Sequence, residues 1–205
     1  MESPQPIIRV NRFSLGAVYN FLKAHVYDYL FLFLIGMVII SLDQWTKVLV
    51  RAHIPLGTDW LPAGLAWLMP YARIRYWYNS GAAFGIFKNG NLVFTVLAII
   101  IILLIIYYFP RTERKDWWLR LAMAMQLSGA AGNLVDRLVR RQVTDFISVG
   151  NFAIFNLADA SISVGVVVLL SGVWLKERSD KKKAQAATLP KDSTGEPGYD
   201  EAKSG

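Results

Sequence analysis

Along the 205 residues, apolar positions are clumped into runs rather than spread at a soluble protein's helical or strand period. Charge-free stretches of fourteen, eighteen, fifteen and sixteen residues occupy Tyr29–Leu42, Leu92–Phe109, Leu121–Val135 and Ala160–Leu175. With their mostly apolar flanks each reaches about 20 residues, the length that crosses roughly 30 Å of hydrocarbon at about 1.5 Å per residue. The pattern predicts four membrane spans, near 28–50, 91–109, 117–138 and 156–175, and excludes a soluble globule. No internal repeat is visible. The first run reads as a retained span, because no A-x-A-like cleavage site follows and apolar positions continue through Trp45 and Val48 to Val50.

Between the runs the pattern changes character. The forty residues after the first span carry Trp60, Trp67, Tyr71, Tyr76, Trp77 and Tyr78, an aromatic content suited to the headgroup level, so this loop is expected to lie along the membrane. Within it ARIRYWY at 72–78 predicts a strand, and NSGAAFG at 79–85 a turn or close backbone approach. Pro110 and the charged RTERKD end the second span, and Trp117 and Trp118 anchor the third. Residues 1–27 read as an interfacial N-terminal arm, 28–175 as the membrane domain, and 176–205, rich in Lys, Asp, Ser, Gly and Pro, as a disordered cytoplasmic tail.

The net charge of +7 takes its meaning from position. Arg9, Arg12 and Lys23 precede the first span; Arg111, Arg114, Lys115 and Arg120 lie between the second and third; Lys176, Arg178 and Lys181 to Lys183 follow the fourth. The positive-inside rule puts both termini and the middle loop in the cytoplasm, with residues 50–90 and 139–155 outside. Basic flanks on membrane helices account for the charge without nucleic acid. The absence of cysteine excludes disulfides, thiolate metal sites and a cysteine nucleophile, and His25 and His53 alone, with no HExxH, do not make a zinc hydrolase.

What chemistry remains must come from polar groups the bilayer disfavours. Asp43, Asp136 and Asp159 fall about 21, 24 and 25 Å along their helices from the inner side, one common level in the outer part of the bilayer. Asp145, in VTDFI, belongs near the same surface. Asp43 and Lys47 share a helix face at i,i+4, as do Asn133, Asp136 and Arg137, so Asp43 with Lys47 and Asp136 with Arg137 read as ion pairs that settle helix ends. Asn156 and Asp159 also share a face, but Asp159 has no basic neighbour within a turn, and Asp145 has only Arg141 near. Asp159 can be read as a helix N-terminal charge favoured by the macrodipole. Together, two acids without local counter-ions form a candidate carboxylate pair for aspartic-protease chemistry, one ionised to activate water and one protonated to donate to an amide carbonyl. Ser128 lacks a nearby base and His25 is on the wrong side; a Ser161–Lys47 arrangement stays open, as do a non-catalytic binding protein and a small transporter, although the acids lie above the midplane a transporter favours.

In order along the chain, DQWTK at 43–47, NSGAAFG at 79–85, GAAGNLVDRL at 129–138, VTDFI at 143–147 and FNLADAS at 155–161 resemble the motifs of lipoprotein signal peptidase, or signal peptidase II. The resemblance covers about residues 28–175. It implies an all-α membrane protein of four transmembrane helices with a small external β-like cradle and an interfacial loop, residing as a multi-pass monomer in the bacterial inner (plasma) membrane with its active site near the outer face. It also implies Asp145 and Asp159 as catalytic, Asn133, Arg137, Asn156 and Asn79 as substrate-positioning, and Asp43, Lys47, Gly81 and Asp136 as supports. The implied substrate is a prolipoprotein whose lipobox cysteine carries diacylglyceryl, cut on the amino side of that cysteine. Membrane lipids and globomycin-like cyclic peptides are the other implied partners, and neither metal nor organic cofactor is. Ser128 stands where the family often has glycine, and Thr144 where it usually has an apolar residue.

Overall fold

The computed structural model describes residues 15–79, 81 and 90–188. Five helices run through it: α1 (Leu15–Ala24), α2 (Val26–His53), α3 (Asn91–Tyr108), α4 (Trp117–Arg140) and α5 (Leu157–Thr188). A three-stranded antiparallel sheet, β1 (Asp59–Trp60), β2 (Ala72–Asn79) and β3 (Val143–Val149), lies beside the helix ends in the order β1-β2-β3.

The expected spans correspond to α2, α3, α4 and α5, with differences at the ends. Among the described residues, three helical stretches, Val26–His53, Asn91–Arg111 and Leu157–Lys182, are long and apolar enough to cross a membrane. The 24-residue α4 is also long enough, at about 36 Å, but it is more polar. It is the central helix, packed against α2, α3 and α5, and it turns Arg120, Ser128, Asn133 and Asp136 inward. In α3, by contrast, Leu92, Val93, Leu103 and Leu104 stand exposed as lipid-facing residues do.

The N-terminal arm contains the helix α1, and residues 1–14 lie outside the described residues. The sequence reading needs correction at the other end of the chain. The tail expected to be disordered from 176 is instead a continuation of α5 through Thr188. Its KERSDKKKAQAA sequence is rich in good helix formers, and Glu177 meets Lys181 one turn later at 2.7 Å. Residues 189–205 lie outside the described residues, as does the turn expected over 79–85 apart from Asn79 and Gly81.

The strand expected at 72–78 is β2, while VTDFI, read as a connection, is the start of β3. Antiparallel pairing sets Trp77 opposite Asp145, Tyr78 opposite Thr144 and Asn79 opposite Val143, with a bulge between Ile74 and Trp77. Beneath the sheet, Tyr76 and Phe146 pack on Val50 and Ile54 from the end of α2. Toward the other end of the bundle, Asp28 is buried against Arg120 at 2.8 Å and also meets Arg114 at 3.1 Å, tying α2 to α4 and the loop before it.

Candidate active site

The start of α5 is fixed by its own first turn. The Asn156 side chain accepts the Asp159 backbone N–H at 2.9 Å, and the Asp159 carboxylate accepts the Asn156 N–H at 3.3 Å, a reciprocal cap that satisfies two otherwise orphaned donors. The Ala158 N–H donates at 3.0 Å to Asp43 on α2. The macrodipole reading of Asp159 is therefore physically present, and it coexists with a place in a larger network.

Close approach of α4 and α5 completes the site. A Cβ at Gly129 would lie 2.3 Å from the Ala158 carbonyl oxygen, and one at Gly132 would lie 2.8 Å from an Asp43 carboxylate oxygen. The small residues of GAAGN thus let Asn133 reach α5. Ser128 is fully buried and turns its hydroxyl onto the Ala124 carbonyl of its own helix, opposite Gly36 of α2.

Lys47 is fully buried, and each of its three N–H bonds has an acceptor. Nζ lies 2.8 Å from Asp43, 3.2 Å from Asp136 and 3.1 Å from Asn133 Oδ1. The Asp43–Lys47 pair is thus as expected, whereas Asp136 does not pair with Arg137. Adjacent residues on a helix point apart, so Asp136 turns to Lys47, accepts the Thr144 N–H at 3.0 Å and stands 3.9 Å from Arg51. Arg137, half-buried, places its guanidinium 5.5 Å from the centre of the Phe94 ring.

Asp145 and Asp159 are held differently. Asp145, 1 % exposed, accepts from the Asn156 amide at 2.7 Å on one oxygen and from the Asn79 amide at 3.0 Å on the other. Asp159, half-buried, accepts from the Asn133 amide at 2.7 Å. Asn156 also donates to Asn133 at 3.1 Å, so the two amides link the two carboxyl groups in one chain of hydrogen bonds. The Gly81 N–H donates to Asn79 Oδ1 at 3.0 Å, turning the Asn79 NH2 toward Asp145. Burial, and then the nearby Asp159 carboxylate, push the Asp145 carboxyl up from 3.8 to about 7; hydrogen bonds from Asn79 and Asn156 and the Lys47 charge oppose the rise.

The structure therefore brings together all ten site residues expected from sequence except Arg137, which stands at the edge without a hydrogen bond to the network among the described contacts. Asn79, Asn133 and Asn156 spend amide donors on the two carboxyl groups. Sequence reasoning missed Gln44, which bridges Asp43 at 3.1 Å and the Gly132 carbonyl at 3.0 Å, and Arg51, which donates to Thr144 at 2.9 Å. Arg51 was legible as the next step in the i,i+4 row of Asp43 and Lys47. Among the described residues, no group of three or more His, Cys, Asp or Glu is placed to hold a metal ion. Two carboxyl groups, one of them retaining its proton to near neutrality, are equipped for concerted general acid and general base work.

Comparison with known proteins places this arrangement in a family. The family model described as signal peptidase (SPase) II matches residues 34–175. A lipoprotein signal peptidase of Halalkalibacterium halodurans is 35% identical over 158 residues, covering 75% of this chain and 98% of the relative. Another, from Bacillus velezensis, is 37% identical over 157 residues, with the same 75% and 98% coverage. A solved structure described as a bacterial membrane enzyme superposes with a TM-score of 0.65 at 29% identity, covering 73% of this chain and 90% of that one.

Proposed function

The chain belongs to the signal peptidase II family, and on that premise we propose that it is an aspartic endopeptidase of a bacterial membrane with Asp145 and Asp159 as its catalytic pair. Its substrates are prolipoproteins carrying diacylglyceryl on the cysteine after the cleavage site, and its products the free signal peptide and the lipidated amino terminus. The observation that carries the reading is the contrast in how the four acids are held. Asp43 and Asp136 share an ammonium, while among the described residues Asp145 and Asp159 accept only from amide and backbone N–H groups, and the Asp145 carboxyl is pushed up to about 7.

The local structure supports one proton assignment. Asp159 stands in the first turn of α5, where the helix dipole and the Asn156 N–H favour a negative charge. Asp145 lies in β3 and holds the proton. In the reaction the Asp159 carboxylate removes a proton from the attacking water as its oxygen bonds the scissile carbonyl carbon, and Asp145 donates its proton to the carbonyl oxygen. Collapse of the tetrahedral intermediate breaks the C–N bond; the Asp159 proton leaves on the amine, and the hydroxyl proton returns to Asp145. Asn133, Asn156 and Asn79 keep the two carboxyl groups oriented, and Arg137, not committed to either, is left to meet the substrate backbone.

We place both termini in the cytoplasm, with α4 a span beside α2, α3 and α5 and the sheet at the outer face, because most of the basic residues lie beside the opposite helix ends. There the acyl chains remain in the bilayer while the peptide reaches the aspartates, so lipid burial contributes to binding. A globomycin-like cyclic peptide is expected to compete at the same carboxyl pair.

Cleavage of a diacylglyceryl-modified precursor by the purified protein, with an unlipidated precursor as control, tests this reading. Asp145→Asn and Asp159→Asn are each expected to lower turnover by about 10²–10⁴-fold while remaining folded. Near-normal turnover by either variant would show that aspartate to be structural. Turnover also separates an enzyme from a precursor-binding protein and from a transporter.

A further inference from the structure

We propose that Trp77 is a specificity-determining residue, its indole forming the wall that contacts an apolar precursor side chain within two residues of the scissile bond. Trp77 is paired directly with Asp145, and side chains of directly opposed residues stand on the same side of the sheet with Cβ atoms about 4.5–5.5 Å apart. Asn79, two residues on, confirms which side this is, because its amide reaches the Asp145 carboxyl at 3.0 Å. The alternate residues Tyr76 and Tyr78 serve the other side, where Tyr76 is buried against Val50, Ile54 and Phe146.

Exposure then distinguishes Trp77 from its neighbours. Asp145 is 1 % exposed, whereas the indole immediately across from it is 51 % exposed. A single exposed aromatic ring is ordinary on a protein surface. This one is fixed by the hydrogen-bonded ladder beside the carboxyl group that acts on the scissile amide, so a peptide lying against the carboxyl pair must pass the indole within one residue's reach. The ring offers flat apolar area, has few rotatable bonds and makes no ring contact among the described residues, so it is available to the substrate. The contact selects by size: differences of one or two methylene groups against an apolar wall give about 10–200-fold discrimination.

This inference rests on the assignment of Asp145 as catalytic, and its test reads ranking rather than the presence of activity. The purified full chain is given diacylglyceryl-modified precursors carrying Gly, Ala, Val or Leu at each of the two positions before the scissile bond or at the position after the modified cysteine. Wild type is expected to prefer one size at one of these positions by about tenfold in kcat/KM. Trp77→Ala should flatten that ranking, and Trp77→Phe should restore most of it. The proposal is overturned if wild type ranks none of the precursors, if Trp77→Ala keeps the wild-type ranking, or if it slows every precursor alike, as loss of a lipid-facing anchor would. Activity surviving in Asp145→Asn would instead overturn the aspartic reading, a result separable from any change in ranking.

Discussion

Asp43 and Asp136 meet a lysine; Asp145 and Asp159, joined to the same hydrogen-bonded network through Asn133, accept only from amide and backbone N–H groups among the described residues. In the first pair both carboxyl groups contact one ammonium, with Lys47 Nζ 2.8 and 3.2 Å from its two partners and its third N–H on Asn133. The second pair receives donors that orient a carboxyl group whether or not it carries a proton. A cation held between two carboxyl groups fixes α2 to α4. Amides hold position while favouring the ionised form only weakly, and burial with the Asp159 carboxylate outweighs them, so the Asp145 carboxyl rises to about 7. One polar layer thus divides its labour between holding helices together and holding a titratable pair. Asn133 is the residue common to both halves, accepting from Lys47 and donating to Asp159.

The comparison is broken most severely at Lys47. Lys47→Met leaves Asp43 and Asp136, 0% and 1% exposed, without the charge between them. Removing one partner from a buried ion pair costs about 3–5 kcal/mol, so this variant should lose its cooperative unfolding transition in detergent. Replacing Asp43 and Asp136 by Asn in the same background should recover much of the loss. Unfolding of Lys47→Met at the wild-type midpoint would mean that the lysine is not what holds these helices. Asp145→Asn, equally buried, is expected to fold normally and fail only in turnover.

Much of this division could be read before any coordinates. The depth of Asp43, Asp136 and Asp159 along their helices, and the helical spacing of Asp43 with Lys47 and Asn156 with Asp159, follow from 1.5 Å and 100° per residue and hold in the structure. The Asp136 partner was missed because Lys47 lies on another helix, and spacing within one helix says nothing about which faces meet. Asn79, Asn133 and Asn156 were expected to position substrate; that they first serve the carboxyl groups depends on strand register and on the Gly129 and Gly132 approach, both tertiary. The helical stretch after Lys176 was obscured because charged, small residues favour disorder by composition and a helix by propensity, and extension of an already nucleated α5 decides in favour of helix.

A second consequence of the contrast is a pH dependence confined to the amide-held pair. The folded protein binds the Asp145 proton more tightly than the unfolded chain does. Between the unfolded value near 3.8 and about 7 the folded state therefore carries more protons, and stability falls as pH rises through that window. At about 1.4 kcal/mol per unit, this amounts to a few kcal/mol in wild type and is absent in Asp145→Asn. Unfolding midpoints of both proteins between pH 4 and 8 should converge at the acid end and separate toward neutrality, with the variant the more stable. The same proton is the one donated to the substrate, so wild-type kcat/KM is expected to fall as pH rises above about 7. Parallel stability curves for the two proteins would remove the physical basis for calling Asp145 the acid.

The smallest expected effect sharpens the comparison at one hydrogen bond. The Asn79 amide donates to Asp145 and so favours its ionised form, opposing the rise that burial produces. Asn79→Ala removes that donor while leaving Asp159 and the Lys47 cluster untouched. The descending limb of the pH profile should then move to higher pH, with turnover at neutral pH reduced by less than about tenfold, the scale of one hydrogen bond. If turnover falls and KM rises but the limb stays in place, Asn79 acts on the substrate rather than on the carboxyl group. The Gly81 N–H, which orients the Asn79 amide from its far side, then becomes a support for substrate binding. A limb that moves assigns both residues to the proton on Asp145, because no group that merely gripped the peptide would change the pH at which that proton is lost.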